Sequence, residues 1–140
     1  MKDKLLKILK EDGLTIGIVL ALIIAYLVLR TPGNNFATVS DVEAEIMSGQ
    51  PTVIEMYANN CSVCLVAKPK VDQLEEDLGD QAQVLRLNVR DDPGKALAYK
   101  WSVAGIPTFI VFDTNGESVY RSSGAPDVDA IKEAVAGILP

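Results

Sequence analysis

From residue 38 onward the periodicity of apolar and polar positions changes repeatedly, and each change marks an element. Ser40 is a candidate N-cap for a helix running to Met47, with Glu43 three residues later completing a capping box and Gly49 as a stop. Thr52 to Ala58 (TVIEMYA) predicts a strand. Ser62 to Leu78 predicts a helix, because Val66, Val71, Leu74 and Leu78 fall near helical spacing. Gln83 to Val89 (QVLRLNV) alternates at period two and predicts a second strand. A short helix follows over Pro93 to Lys100, then an apolar strand over Thr108 to Phe112. Asn115-Gly116 predicts a hairpin turn into a strand at Glu117–Arg121, and Asp127 to Leu139 is a closing amphipathic helix. This order, βαβ and then a hairpin and a helix, predicts an α/β domain with a mixed central sheet flanked by helices.

A different pattern precedes this domain. Gly13 to Leu29 (GLTIGIVLALIIAYLVL) is an uncharged run with no polar face. As a helix it spans roughly 25 Å, near the lower limit for a bilayer core, and its all-round apolarity favours a span over an interfacial helix. Lys2, Lys4, Lys7 and Lys10 precede it and only Arg30 closely follows. That imbalance predicts a cytoplasmic N-terminus with the rest outside. The expected organisation is a basic cytoplasmic segment at 1–12, a single transmembrane anchor at 13–30, a turn-rich linker at 31–37 and the α/β domain at 38–140. A cleaved signal peptide, although no clear A-x-A site follows Leu29, and a buried core helix are the alternatives.

Charge narrows the function classes. Residues 1–30 carry a net +2 and residues 31–140 a net −8. An acidic domain is a poor partner for nucleic acid, which requires clustered Lys and Arg. The chain has no His, which removes Ser–His and Cys–His nucleophile pairs and His-bearing metal sites. Its two Cys, Cys61 and Cys64, are three positions apart where a strand gives way to a helix. That spacing lets the sulfurs bond, and the positive end of the helix lowers the pKa of the first. Cys61 is therefore the expected nucleophile and Cys64 the resolving thiol. A structural disulfide gains little from so short a loop, and a zinc site would need ligands from another chain. Both alternatives stand beside the redox reading of a C-x-x-C near a βαβ pattern.

These residues resemble the thioredoxin family over nearly all of 38–140. Val53 to Ala58 resembles the strand before the family's active site, with Glu55 in place of a buried Asp. Cys61 and Cys64 match the redox pair, Pro69 a proline of the active-site helix, and Asn88, Pro93 and Gly94 the next strand and turn. Gly105-Ile106-Pro107-Thr108, with Pro107 lying 43 residues after Cys64, matches the Gly-Ile-Pro-Thr loop. The resemblance implies that Pro107 is cis beside the Cys pair and that the Ile106 backbone pairs with an extended substrate. It implies that Glu55, if buried, accepts a proton from Cys64; the alternative is an outward-facing carboxylate. Arg86 matches a family Lys near that carboxylate, or else is a solvated strand residue. Asn60 stands where the family has Trp, and Ser62-Val63 where it has Gly-Pro. Asn60, Ser62 and Val63 join Ile106 and Pro107 as the expected substrate-contacting set. Trp101 is expected to pack in the core or at its rim.

The expected function is thiol–disulfide exchange on extracytoplasmic protein substrates, as a reductant, with no cofactor beyond the Cys61–Cys64 disulfide and no metal. Anchored thioredoxin-like proteins of bacterial membranes and thylakoids resemble this layout, and some serve cytochrome c biogenesis. A membrane electron donor or acceptor is the implied partner, and lipid would hold residues 13–30. The domain would lie in a periplasm, an extracellular space or a thylakoid lumen. A tethered adaptor that binds a partner without redox chemistry, and a metallochaperone-like Cys pair, are the competing classes.

Overall fold

The computed structural model describes residues 13–139; the predicted basic segment at 1–12 lies outside them. The elements are α1 (Gly13–Leu29), α2 (Val39–Ile46), β1 (Thr52–Tyr57), α3 (Ser62–Leu78), a 3-10 turn (Gly79–Gln81), β2 (Gln83–Asn88), α4 (Gly94–Lys100), β3 (Thr108–Phe112), β4 (Ser118–Ser123) and α5 (Val128–Ala136). They divide into two units, the boundary falling between Thr31 and Pro32.

In the first unit, α1 covers the predicted apolar run and none of its residues is buried. Among the described residues no helix is long and apolar enough to cross a membrane.

The second unit is built on a four-stranded sheet in the order β2-β1-β3-β4. β1 runs parallel to β2 and antiparallel to β3, and β3 pairs antiparallel with β4. All six residues of β1 are buried, as expected of a strand covered on both faces. Side chains alternate between those faces. Val53, Val84, Phe109 and Val111 pack with Val71, Leu74 and Leu78 of α3 and with Ile131 and Val135 of α5. Ile54, Met56, Leu85, Leu87, Ile110 and Phe112 pack with Val42 and Ile46 of α2 and with Leu97 of α4. Trp101 lies at the rim of this second core, its ring 5.3 Å from that of Phe112.

Four local details differ from expectation. The capping box of α2 is Thr38 with Asp41, not Ser40 with Glu43: Thr38 N–H donates to Asp41 and Asp41 N–H to Thr38 Oγ1. Both pairs have the right spacing, and Glu43 is instead drawn into an ion pair with Lys100. β4 begins at Ser118 and reaches Ser123, past the expected Arg121, with a bulge between Val111 and Phe112 shifting the register. α5 ends at Ala136, three residues before Leu139. The turn-rich segment after residue 31 also touches the sheet edge: Asn34 N–H donates to the Arg86 carbonyl and Asn34 Oδ1 accepts from Arg86 N–H. A polar side chain thus satisfies the free edge of β2 that would otherwise invite another strand.

Candidate active site

β1 delivers the chain to its C-terminal end at Tyr57, and after a short turn Cys61 caps α3. Cys61 has extended backbone, so its sulfur folds back over the first turn and accepts from Cys64 N–H at 3.2 Å. Cys61 and Cys64 form a disulfide with their Cα atoms 5.2 Å apart. The two sulfurs differ in exposure: Cys61 is half-buried, whereas Cys64 is only 2% exposed. An attacking thiol needs access and a resolving thiol needs proximity, and the pair supplies one of each. The Cys64 N–H and the positive end of α3 both lie at Cys61 Sγ, a placement that favours negative charge on that sulfur.

The loop before β3 closes over this pair. The Ile106–Pro107 peptide is cis, as the resemblance implied, and the Ile106 carbonyl oxygen lies 3.8 Å from Cys61 Sγ. Register explains the approach: Met56 near the end of β1 pairs with Thr108 at the start of β3. Thr108 Oγ1 donates to the Gly105 carbonyl at 2.6 Å and lies 2.7 Å from Ser123 Oγ, while Gly124 N–H donates to the Pro107 carbonyl. The loop is therefore tied on both sides of Pro107. A second cis peptide, Asp92–Pro93, had no counterpart among the sequence expectations.

Of the remaining expected contact residues, Asn60, Ser62 and Val63 are exposed around the disulfide. Ile106 is half-buried and Pro107 buried. A groove of about 230 Å³ runs beside Ile106, lined by Val89, Arg90, Ala98, Val103, Ala104 and Gly105.

Glu55 is buried on the face of the sheet covered by α3, the helix that carries Cys64 in its first turn. Burial pushes its pKa up to about 7, against the pull of Arg86. Its Oε2 is 3.7 Å from Arg86 Nε, beyond hydrogen-bonding distance, and that oxygen has no hydrogen-bond partner. Arg86 is buried too, so of its two readings the structure selects the residue beside the carboxylate. α3 completes the cluster: Asp72 and Glu75 each lie 2.8 Å from Arg86, and Lys68 2.7 Å from Asp72. Burial would raise the Asp72 pKa, but the hydrogen bond from Lys68 and the adjacent Arg86 cation outweigh it and hold the carboxyl below its usual range. Sequence reasoning missed Lys68, Asp72 and Glu75. The available signal was their i, i+4, i+7 spacing, which places them on one stripe of α3.

Among the described residues no group of three or more Cys, Asp or Glu side chains is arranged to hold a metal ion.

Comparison with known proteins agrees with this geometry. The family model described as Thioredoxin matches residues 34–137. A "Thiol:disulfide interchange protein TxlA homolog" of Synechocystis sp. is 25% identical over 92 residues, covering 66% of this chain and 51% of that protein. "Thioredoxin-like protein HCF164, chloroplastic" of Arabidopsis thaliana is 34% identical over 74 residues, 53% of this chain and 28% of that protein. The chain thus spans about half the length of the first and under a third of the second. The X-ray structure of Fasciola hepatica thioredoxin superposes with a TM-score of 0.63 at 28% identity, covering 74% of this chain and 96% of that one. The chain belongs to the thioredoxin family and carries a Cys-x-x-Cys disulfide, Cys61–Cys64, at the head of its active-site helix.

Proposed function

We propose that this protein exchanges thiols and disulfides with extracytoplasmic protein substrates, acting as a reductant. The observation that carries the reading is the Cys61–Cys64 disulfide at a helix start, its outer sulfur half-exposed beside the Ile106 carbonyl. In the reduced protein the Cys61 thiolate attacks one sulfur of a substrate disulfide. That S–S bond breaks, a Cys61–substrate mixed disulfide forms, and the first substrate sulfur leaves as a thiolate that takes a proton from water. Cys64 then loses its proton to Glu55 and attacks Cys61 Sγ. The second substrate thiolate departs, and the protein is left oxidised with two electrons transferred. A membrane-bound dithiol donor must return those two electrons to close the cycle. The absence of His between the cysteines supports the reducing direction.

An anchored, extracytoplasmic setting is part of this reading, and the apolar surface of α1 supports attachment to lipid. Its 17 residues are uncharged and none is buried, so it presents a continuous apolar surface that water does not favour. At about 1.5 Å per residue this apolar surface is roughly 25 Å long.

Reduction of insulin disulfides by the dithiothreitol-reduced chain is the test. Wild type is expected to turn over, Cys61→Ala to be inactive, and Cys64→Ala to accumulate a mixed disulfide with insulin. Absence of turnover by wild type in both redox directions would return the adaptor reading, under which Cys61→Ser leaves partner binding intact. Equilibration of Cys61–Cys64 with glutathione should show the pair more reducing than glutathione; a more oxidising pair reverses the assigned direction.

A further inference from the structure

Below the disulfide, Arg86 is shared unequally. The guanidinium is a rigid planar fork, so which nitrogens are engaged decides where its charge is felt. Glu75 Oε2 accepts a hydrogen bond from Nη2 at 2.8 Å, whereas Asp72 Oδ1 holds Nη1 as an ion pair at 2.8 Å, in a geometry that makes no hydrogen bond. Only Nε is turned towards Glu55, and at 3.7 Å it does not donate to the carboxylate. The two outer carboxylates are about half exposed, whereas Glu55 is buried and its Oε2 lacks a hydrogen-bond partner. For so costly a burial next to a cation, a closed Glu55–Arg86 pair would be the simplest arrangement.

We propose that Asp72 and Glu75 are positioning residues: by holding two nitrogens of Arg86, they keep that cation from closing on Glu55 and leave Glu55 able to take up and release a proton. The proposal rests on the exchange reading above for its purpose, the proton passed from Cys64, but not for its mechanism. Charge counting over the cluster agrees. Arg86 and Lys68 balance Asp72 and Glu75, so the group is neutral with Glu55 protonated and carries one negative charge with Glu55 ionised. Among the described residues no other element on this face presents a titratable group to Glu55. β3 offers Phe109 opposite it, α5 offers Ile131 and Val135, and Lys132 of α5 is engaged with Asp77. Neutralising Asp72 and Glu75 leaves Arg86 and Lys68 facing Glu55 alone, and Glu55 then stays ionised.

The test is a carboxyl-carbon NMR titration of the oxidised full chain with labelled glutamate, the Glu55 signal being assigned by its loss in Glu55→Gln. The wild-type midpoint is expected near 7. In Asp72→Asn/Glu75→Gln it should fall by about one unit or more, a tenfold or greater loss of proton affinity. Each single substitution should give part of that fall. Asp72→Glu should restore the midpoint, and Asp77→Asn, on the same helix but paired with Lys132, should leave it in place. An unchanged midpoint in the single and double variants overturns the proposal. The titration needs no turnover. A shifted midpoint in a chain that fails to reduce insulin therefore keeps the coupling and removes the exchange reading, and the converse result does the opposite.

Discussion

Replacing Glu55 with Gln should abolish a specific slope in the pH dependence of stability. Glu55 has an ordinary value of 4.5 and is raised to about 7 in the fold, because burial penalises its charge. The unfolded chain therefore releases this proton about two and a half pH units before the folded chain does. Where the unfolded state holds fewer protons, unfolding becomes easier as pH rises. The associated stability is fully present below about pH 4.5 and is lost as pH climbs through about 7. At about 1.4 kcal/mol per unit, the loss amounts to roughly 3 kcal/mol. There is no His, the two Cys are joined, and Asp72, Asp77 and Asp113 are held below the usual carboxylate range, so their contribution falls in stronger acid. Urea unfolding of the oxidised chain, followed by fluorescence of Trp101, the chain's one Trp, measures it. Wild type should lose stability between pH 4.5 and 8, and the Glu55→Gln curve should be flat over the same range. A uniform offset of the Glu55→Gln curve reports the contacts of Gln itself, and the slope reports the proton. Parallel curves for the two proteins would refute the argument, because Glu55 would then titrate alike in both states.

Two further substitutions read the backbone. A Cβ at Gly94 would come within 2.2 Å of the Asn88 carbonyl oxygen, and backbone cannot step aside, so Gly94→Ala should cost more than about 3 kcal/mol in urea unfolding. Gly105→Ala, beside the cis-proline loop but with open space around it, should cost less than about 1 kcal/mol in the same assay. At the start of α2, Thr38→Ala should destabilise by about 1 kcal/mol while Ser40→Ala stays within about half of that, because Thr38 is the residue that accepts from Asp41 N–H.

What the sequence disclosed follows the reach of each signal. Alternation and helical spacing extend over neighbouring residues, so the strands, α3 and the Cys61 cap were legible. Thr38 and Ser40 show the limit: each begins a valid capping box, and the choice was made by Lys100, distant in sequence, which takes Glu43. Arg86 shows another. Period two in QVLRLN says that Arg86 opposes Leu85 and Leu87, but not whether its face meets water or a helix. α3 covers that face and brings two carboxylates to the guanidinium, so a residue that alternation leaves ambiguous is buried. Asn34 is similar, since nothing in a turn-rich stretch announces that one amide will pair with the edge of β2.

The site depends on register more than on any one side chain. Glu55 pairs with Arg86 on β2 and with Phe109 on β3, and Met56 pairs with Thr108. The first pairing sets the buried carboxylate beside its cation, and the last sets Pro107 beside Cys61. Because side chains alternate, a slip of one residue between β1 and its neighbours would turn Glu55 into the cluster of Val42, Ile54 and Leu97. It would also break the pairing that carries the Ile106 carbonyl to 3.8 Å from Cys61 Sγ. That slip is opposed because Val53, Glu55, Ile54 and Met56 are all buried, so both faces of β1 would exchange partners at once. The apolar residues of β1 therefore do more than fill the core. By holding the register they fix where Cys61, Glu55 and the Pro107 loop stand relative to one another, although none of them has chemistry of its own.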